Sequence, residues 1–319
     1  MRVFGESLGF NAGVQAREAE EQGYDGIVAV DHFFSARPPA LPRWRVEPFV
    51  ALGAAAATTA RIQLAAMVIN TNFHHPSVIA HGMASLDNIS NGRAELGLGG
   101  GWYALEHTAF GLPWGDGPRR QDRLMESARI CRAMLENRGV VSHRGEHFQL
   151  ENAVPWEWER ETSVPIIIGG ARKSLLCRGA EIANRIDLLH ATVDGIPVVD
   201  ESLSRSPIEV ERLLGAVHKH AAQAGNSVKV SATLTATIVP MGAGKAARAQ
   251  LAPQLRSSER LLQSDLLYVI GSQQELILKI TQLAGLGVDR VHLIPGPVDS
   301  VRTVPALREM LRDIQAIAA

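Results

Sequence analysis

Short apolar runs recur along the chain, each closed by turn residues and followed by a stretch with helical periodicity. The runs are Val3–Leu8, Ile27–Val30, Ile62–Ile69, Ala94–Leu98, Ile166–Ile168, Ile186–Leu189, Val228–Val239 and Val291–Ile294. Most are continuously apolar rather than alternating, the pattern of parallel strands covered on both faces. The stretches between them carry helix punctuation. Asn11 is placed to cap a first helix that Gly23 ends. Pro48 and Pro76 stand where a first helical turn tolerates a missing N–H. Leu124, Ala128, Cys131 and Leu135 fall on one helical face, and Leu307, Leu311 and Ile314 give the last helix its apolar stripe. Ser206 with Glu209 and Ser272 with Glu275 form two capping boxes. Eight strand candidates alternating with helices leave a closed barrel or an open doubly wound sheet.

Longer interruptions fall at 33–46, 102–120, 138–163 and 240–265. Within them "VVSHRGEHFQL" reads as a small hairpin and the stretch from Met241 to Gln263 as a mobile or helical excursion. No linker, composition break or short repeat divides the chain, so residues 1–319 are expected to form one domain. In a barrel, 33–46 and 102–120 follow strand ends and would rim the C-terminal mouth.

Composition narrows the function classes. Of 319 residues 46% are hydrophobic and 20% charged, and the formal net charge is -1. That is an ordinary soluble composition, and the lack of basic excess argues against nucleic-acid or membrane-surface binding. No apolar run approaches the roughly 20 residues that span a bilayer, and "MRVFGESLGFNAG" lacks the apolar core of a signal peptide. A cytoplasmic location is expected, with Cys131 and Cys177 as buried free thiols. His74-His75 and His218-x-His220 have no third ligand at metal spacing, so no metal site is expected. No G-x-S-x-G elbow marks a serine hydrolase.

The densest chemical signal is "GRAELGLGGGW", residues 92–102. Gly99 to Ala104 formally fits the G-x-G-x-x-A dinucleotide fingerprint. That fingerprint should follow the first strand of its unit and open a helix, with an acidic residue about 20 positions on. Here three strand–helix units precede it, and "WYALEHTAFGLPWGDGP" reads as loop for a dozen residues. The remaining readings are a glycine-lined strand end that lets backbone approach a flat ligand with Trp102 as its wall, or a plain glycine turn with Trp102 packed on the rim. "RRQDR" at 119–123 reads as a solvated helix start, with Arg119 or Arg120 available to an anionic tail.

Further stretches point the same way: "DGIVAVDHF", "RIQLAAMVINTNFHHPSVIA", "SLDNISNGRAELGLGGGW", "VPIIIGGARKSLLCRGAEIANRIDLL" and "GSQQELILKITQLAGLGVDRVHLI". With these the chain resembles the bacterial luciferase-like superfamily over nearly its whole length, most closely the short deazaflavin (coenzyme F420) dependent oxidoreductases. The resemblance implies an α/β (β/α)8 TIM barrel with insertions in the loops at its C-terminal face. It implies that Asp31 helps position the cofactor, that His32 faces the reactive ring as the catalytic proton group, and that a bulge with a non-prolyl cis peptide lies near Met67-Val68. Asn70 would meet the ring's polar edge, Gly99, Gly100, Gly101 and Trp102 its surroundings, and Gly169, Gly170, Ala171 and Arg172 the phosphate-bearing tail. Phe33, Trp44, Trp102 and Tyr103 are the substrate-contact candidates, and with Phe34 and Trp114 they would make an aromatic mouth or a dimer interface. Two departures stand out. His74 replaces an arginine usual in the short group. Trp102 stands where sugar-phosphate dehydrogenases of the superfamily carry a catalytic glutamate, with Glu106 nearby but displaced.

The expected activity is hydride transfer between F420 and a small organic substrate, in a homo-oligomer. The alternatives are an FMN monooxygenase using reduced FMN and oxygen with a separate flavin reductase, and a non-catalytic flavin-binding subunit.

Overall fold

A computed structural model describes residues 1–35, 43–136, 139–155, 164–193, 196–198, 205–296 and 306–317. Parts of the interruptions at 33–46 and 138–163 lie outside them. Eight parallel strands close into a barrel: β1 (Arg2–Ser7), β2 (Gly26–Ala29), β3 (Gln63–Asn70), β4 (Ala94–Gly99), β5 (Ile166–Gly170), β6 (Arg185–Leu188), β7 (Lys229–Ile238) and β8 (Arg290–Pro295). Each pairs with the next, and β8 pairs back onto β1 through Val3 opposite Val291. All eight apolar runs are strands, and the choice between barrel and open sheet falls to the barrel. Strands buried on both faces, as β2, β4, β5 and β6 are throughout, have no reason to alternate in polarity.

A strand added to the barrel wall was not foreseen. Tyr268–Gly271 pairs with the upper half of β7, from Thr235 opposite Tyr268 to Ile238 opposite Gly271. The lower half of that same β7 edge pairs with β6.

The helices keep the punctuation read from the sequence. Gly23 ends α1 (Ala12–Gln22) in the left-handed conformation at φ 88°, whereas Asn11 occupies the cap position without a side-chain cap bond. Pro48 opens α2 (Pro48–Thr58) and Pro76 opens α3 (Pro76–Ile89). The stretch after Gly101 is not loop throughout: it holds α4 (Ala104–Ala109), followed by α5 (Gly117–Glu136). The glycines and prolines flanking α4 hid a helix of only six residues. Then come α6 (Lys173–Ala180) and α7 (Pro207–Gln223). The excursion folds as α8 (Gly244–Leu251) and α9 (Glu259–Ser264), and α10 (Gln273–Gly285) follows. Both capping boxes are formed. The hairpin pairs Val141–Arg144 with Gln149–Ala153. Cys131 and Cys177 are buried free thiols, and burial pushes the Cys131 thiol up. Among the described residues no helix is long and apolar enough to cross a membrane.

Candidate active site

The C-terminal ends of β2, β3 and β4 bring the sequence candidates to one side of the barrel mouth. Asp31 and His32 follow β2. The Asp31 carboxylate accepts the Asn70 backbone N–H at 2.8 Å and the His74 Nε2–H at 3.0 Å, which ties the ends of β2 and β3 together. Burial works against a charged His74. The hydrogen bond and charge of Asp31, with Glu47 beyond, outweigh it and raise its pKa. His74 is therefore part of the site through Asp31.

His32 has a partner that sequence reasoning did not supply. Its Nδ1 lies 2.8 Å from Oε2 of Glu106 on α4. The other carboxylate oxygen accepts the backbone N–H groups of Phe33 at 2.7 Å and Phe34 at 3.3 Å. Glu106 is 1% exposed and the His32 side chain 26% exposed. A carboxylate buried so completely needs every lone pair answered, and these donors answer both oxygens. The arrangement sets the hydrogen on His32 Nδ1 and leaves Nε2 as the exchangeable nitrogen.

The glycines of the floor serve side chains of the protein. The Met67–Val68 peptide is cis. A Cβ on Gly99 would collide with the Val68 side chain, and one on Gly169 would meet it at 3.0 Å. Val68 thus sits between the glycines of β4 and β5. Gly101, at φ 69°, leaves room for the Asn70 amide, which a Cβ would meet at 2.8 Å. Asn70 is buried, and its Oδ1 accepts the backbone and side-chain N–H groups of Asn72 at 3.0 and 3.2 Å. Its Nδ2 faces His107 Nε2 at 3.4 Å. His107 donates from Nδ1 to the Pro113 carbonyl at 2.6 Å, and burial lowers its pKa despite that bond. Gly100 leaves a freer space, its nearest approach being the Arg120 carbonyl at 3.4 Å.

Aromatic rings wall the site. Trp102 sets its ring edge-on to His32 at 5.3 Å and stacks on Tyr103 at 5.0 Å. Phe33 stacks on Phe110 at 4.2 Å, and Trp44 and Phe34 close on Phe110 at 6.1 Å. Trp114 stands apart from this cluster, against His107 and under the Arg120 guanidinium at 3.8 Å. Arg120 also donates to the Gly115 carbonyl, so the protein itself occupies that cation.

Gly169 and Gly170 end β5, and Ala171-Arg172 leads into α6 with Arg172 exposed at its N-cap. The first-turn N–H groups of α6 have no intrahelical acceptors, and with the arginine they suit an anion.

The profile of the luciferase-like monooxygenases matches residues 11–260, and the chain belongs to that family. The F420-dependent glucose-6-phosphate dehydrogenase of Microbacterium testaceum is 30% identical over 205 residues, 59% of this chain and 56% of that one. An uncharacterised protein of Mycobacterium tuberculosis H37Rv is 31% identical over 183 residues, 53% of this chain and 64% of its own length. These alignments each span less than two thirds of the relative. Among solved structures, an F420-dependent secondary alcohol dehydrogenase in complex with an F420-acetone adduct superposes at TM-score 0.78, with 17% identity and 98% of both chains covered. A Streptomyces bottropensis monooxygenase reaches 0.70 at 22% identity, covering 99% of this chain and all of that one. At these identities the likeness is one of fold.

Proposed function

We propose that the chain is an oxidoreductase using the deazaflavin F420, with a hydride passing between that cofactor and a small organic substrate. The observation that carries the reading is the mouth pair: a half-buried histidine, oriented by a fully buried carboxylate, edge-on to Trp102 at the end of a barrel strand. The residues present fit a flat ring with an anionic tail. Met67, Val68, Asn70 and the Gly99–Gly101 turn would back and edge the ring, and Asp31 would position it through its hold on Asn70. The N-terminus of α6 with Gly169, Gly170, Ala171 and Arg172 would take the tail. When bound, the deazaflavin supplies the hydride chemistry.

The chain's own residues supply the rest. His32 Nε2 exchanges a proton with the substrate atom that gains or loses one. Glu106 holds the tautomer and ring orientation that this exchange needs. Trp102, Tyr103, Phe33 and Trp44 exclude water and offer an apolar, planar-tolerant contact surface. Relatives described as F420-dependent support the choice of cofactor. The family's own description as monooxygenases supports a second reading: an enzyme that would use reduced FMN and oxygen and be served by a separate reductase.

Parallel fluorescence-quench titrations with F420 and FMN separate the two. Tight F420 binding with FMN weaker by orders of magnitude is expected. The reverse preference, with oxygen uptake on adding reduced FMN, would replace the proposal with the monooxygenase.

A further inference from the structure

Helix α4 carries two adjacent polar residues that reach different parts of the mouth. Glu106 holds His32. His107, the next residue, is 1% exposed and reaches Asn70 at the end of β3, where its Nε2 lies 3.4 Å from the amide Nδ2. Consecutive helical residues point about 100° apart, so one short helix can brace both groups.

The direction of the second contact is fixed from both ends by groups that have no choice of role. On the histidine side, Nδ1 lies 2.6 Å from the Pro113 carbonyl, which only accepts, so Nδ1 carries the hydrogen. A neutral ring then has a bare Nε2, an acceptor. On the asparagine side, the Asn72 backbone N–H, which only donates, lies 3.0 Å from one end of the Asn70 amide. That end is therefore the oxygen, and the end facing His107 is the N–H₂ group. Donor meets acceptor. An imidazolium would set its own hydrogen against that of the amide, so the neutral ring is the one that fits.

The surroundings favour the neutral ring as well. His107 lies against Phe73 and Trp114, at 4.8 and 4.4 Å between ring centres. Burial has the largest influence on its pKa and lowers it. The Arg120 charge works in the same direction, and the Pro113 bond and the Glu106 charge oppose both without prevailing.

The amide held in this way is the hub of the glycine turn. The Asn70 backbone N–H goes to Asp31, its Oδ1 takes both N–H groups of Asn72, and Asn72 Nδ2 donates to the Gly100 carbonyl at 2.9 Å. Asn70 Nδ2 carries two hydrogens, and among the described residues His107 alone answers it. Asn70 is 7% exposed. A buried amide hydrogen without an acceptor is costly, and a bound carbonyl would answer it.

We infer that His107 is a positioning residue of the cofactor site: its neutral Nε2 fixes the Asn70 amide so that the second Nδ2 hydrogen serves a carbonyl on the polar edge of the bound ring. The inference rests on the proposed reading of the site as a pocket for a flat redox ring, and F420 and FMN both carry such a carbonyl edge.

The test is a double-mutant cycle read as cofactor Kd, by fluorescence-quench titration of the full-length protein with F420 and, in a parallel arm, with FMN. His107→Phe keeps a flat ring against Phe73 and Trp114 and removes the acceptor. It should raise the Kd about three- to tenfold, the span of one hydrogen bond. In the Asn70→Ala background the same substitution should change the Kd by less than about 1.5-fold, because no amide is left to orient. A merely structural His107 would weaken binding equally in both backgrounds. His107→Gln, which offers a carbonyl oxygen in place of Nε2, should return the Kd to within about twofold of wild type. Should His107→Phe not fold, His107→Leu supplies the arm without an acceptor. Equal effects in the two backgrounds, an unchanged Kd on removing the acceptor, or a His107→Gln protein as weak as His107→Phe would overturn the inference, and so would a wild type that binds neither cofactor. Binding of FMN without F420 would remove the F420 reading alone, and the cycle run with FMN would still decide the role of His107.

Discussion

Two of the protein's histidine–carboxylate pairs have nearly the same geometry and very different surroundings. At the mouth, His32 and Glu106 are 2.8 Å apart, with the histidine partly open to solvent. In the lumen, His292 and Asp187 are 3.1 Å apart, with side chains 3% and 0% exposed. Full burial works to raise the Asp187 carboxyl, but the charge and hydrogen bond of His292 and the hydroxyls of Ser231 and Thr233 hold it below the usual range. Below that layer, Arg290 and Glu95 form a buried bidentate pair beside Phe4, whose ring the guanidinium covers at 4.1 Å. Same chemistry, different access: the lumen pair meets no solvent, and its second nitrogen, His292 Nε2, is buried with no partner among the described residues, so the pair holds the fold. The mouth pair leaves one imidazole nitrogen for a visitor.

Breaking the lumen pair should have the largest effect. Asp187→Ala strands His292 and two hydroxyls in the barrel interior, and losing one partner of a buried pair costs about 3–5 kcal/mol. A sharp fall in soluble yield and in the urea midpoint is expected, whereas an unfolding curve within error of wild type would mean that the lumen pair is dispensable.

Glu106→Gln sharpens the comparison from the other side. The amide oxygen can still accept from Phe33, while the amide N–H₂ faces His32 Nδ1 and favours the wrong tautomer. The melting temperature should move little and kcat should fall about 10–100-fold, as for other positioning partners of a histidine. KM should stay near wild type. A matched fall in stability with kcat unchanged would make Glu106 a purely structural residue.

The smallest effect is expected at His74. Its pKa is raised in the folded protein, so the stability it adds through Asp31 is fully present below its unfolded value of 6.5 and is lost as pH rises through the folded value. His74→Gln should therefore cost up to about 1 kcal/mol at mildly acidic pH, fading toward alkaline pH. A deficit that grew with pH would reverse the assignment.

The two regions also differ in how far the sequence announced them. The strands were legible because a doubly buried strand leaves an unbroken apolar run. Asp31-His32 and the glycine turns were picked out through the family resemblance, which rests on polar and glycine residues at strand ends. Glu106 was not, because its bond to His32 spans 74 positions and depends on α4, which six residues among glycines and prolines did not reveal. An acidic residue in the first turn after a strand end was the available signal. The strand Tyr268–Gly271 was hidden for a related reason: a short apolar run after a helical excursion has no period of its own. Asp187 gave a clearer hint, as a lone acid inside "RIDLL", and its partner on β8 became visible only when the barrel closed.

The most direct measurement is anaerobic reoxidation of reduced F420 by a panel of small organic acceptors, run with wild type and His32→Gln while melting temperatures are recorded on the same samples. Glutamine can still donate to Glu106, so the fold should lose less than about 1 kcal/mol. The rate should fall about 10²–10⁴-fold, the range for removing a general acid or base. Equal rates in the two proteins, or turnover only with reduced FMN and oxygen, would contradict the account.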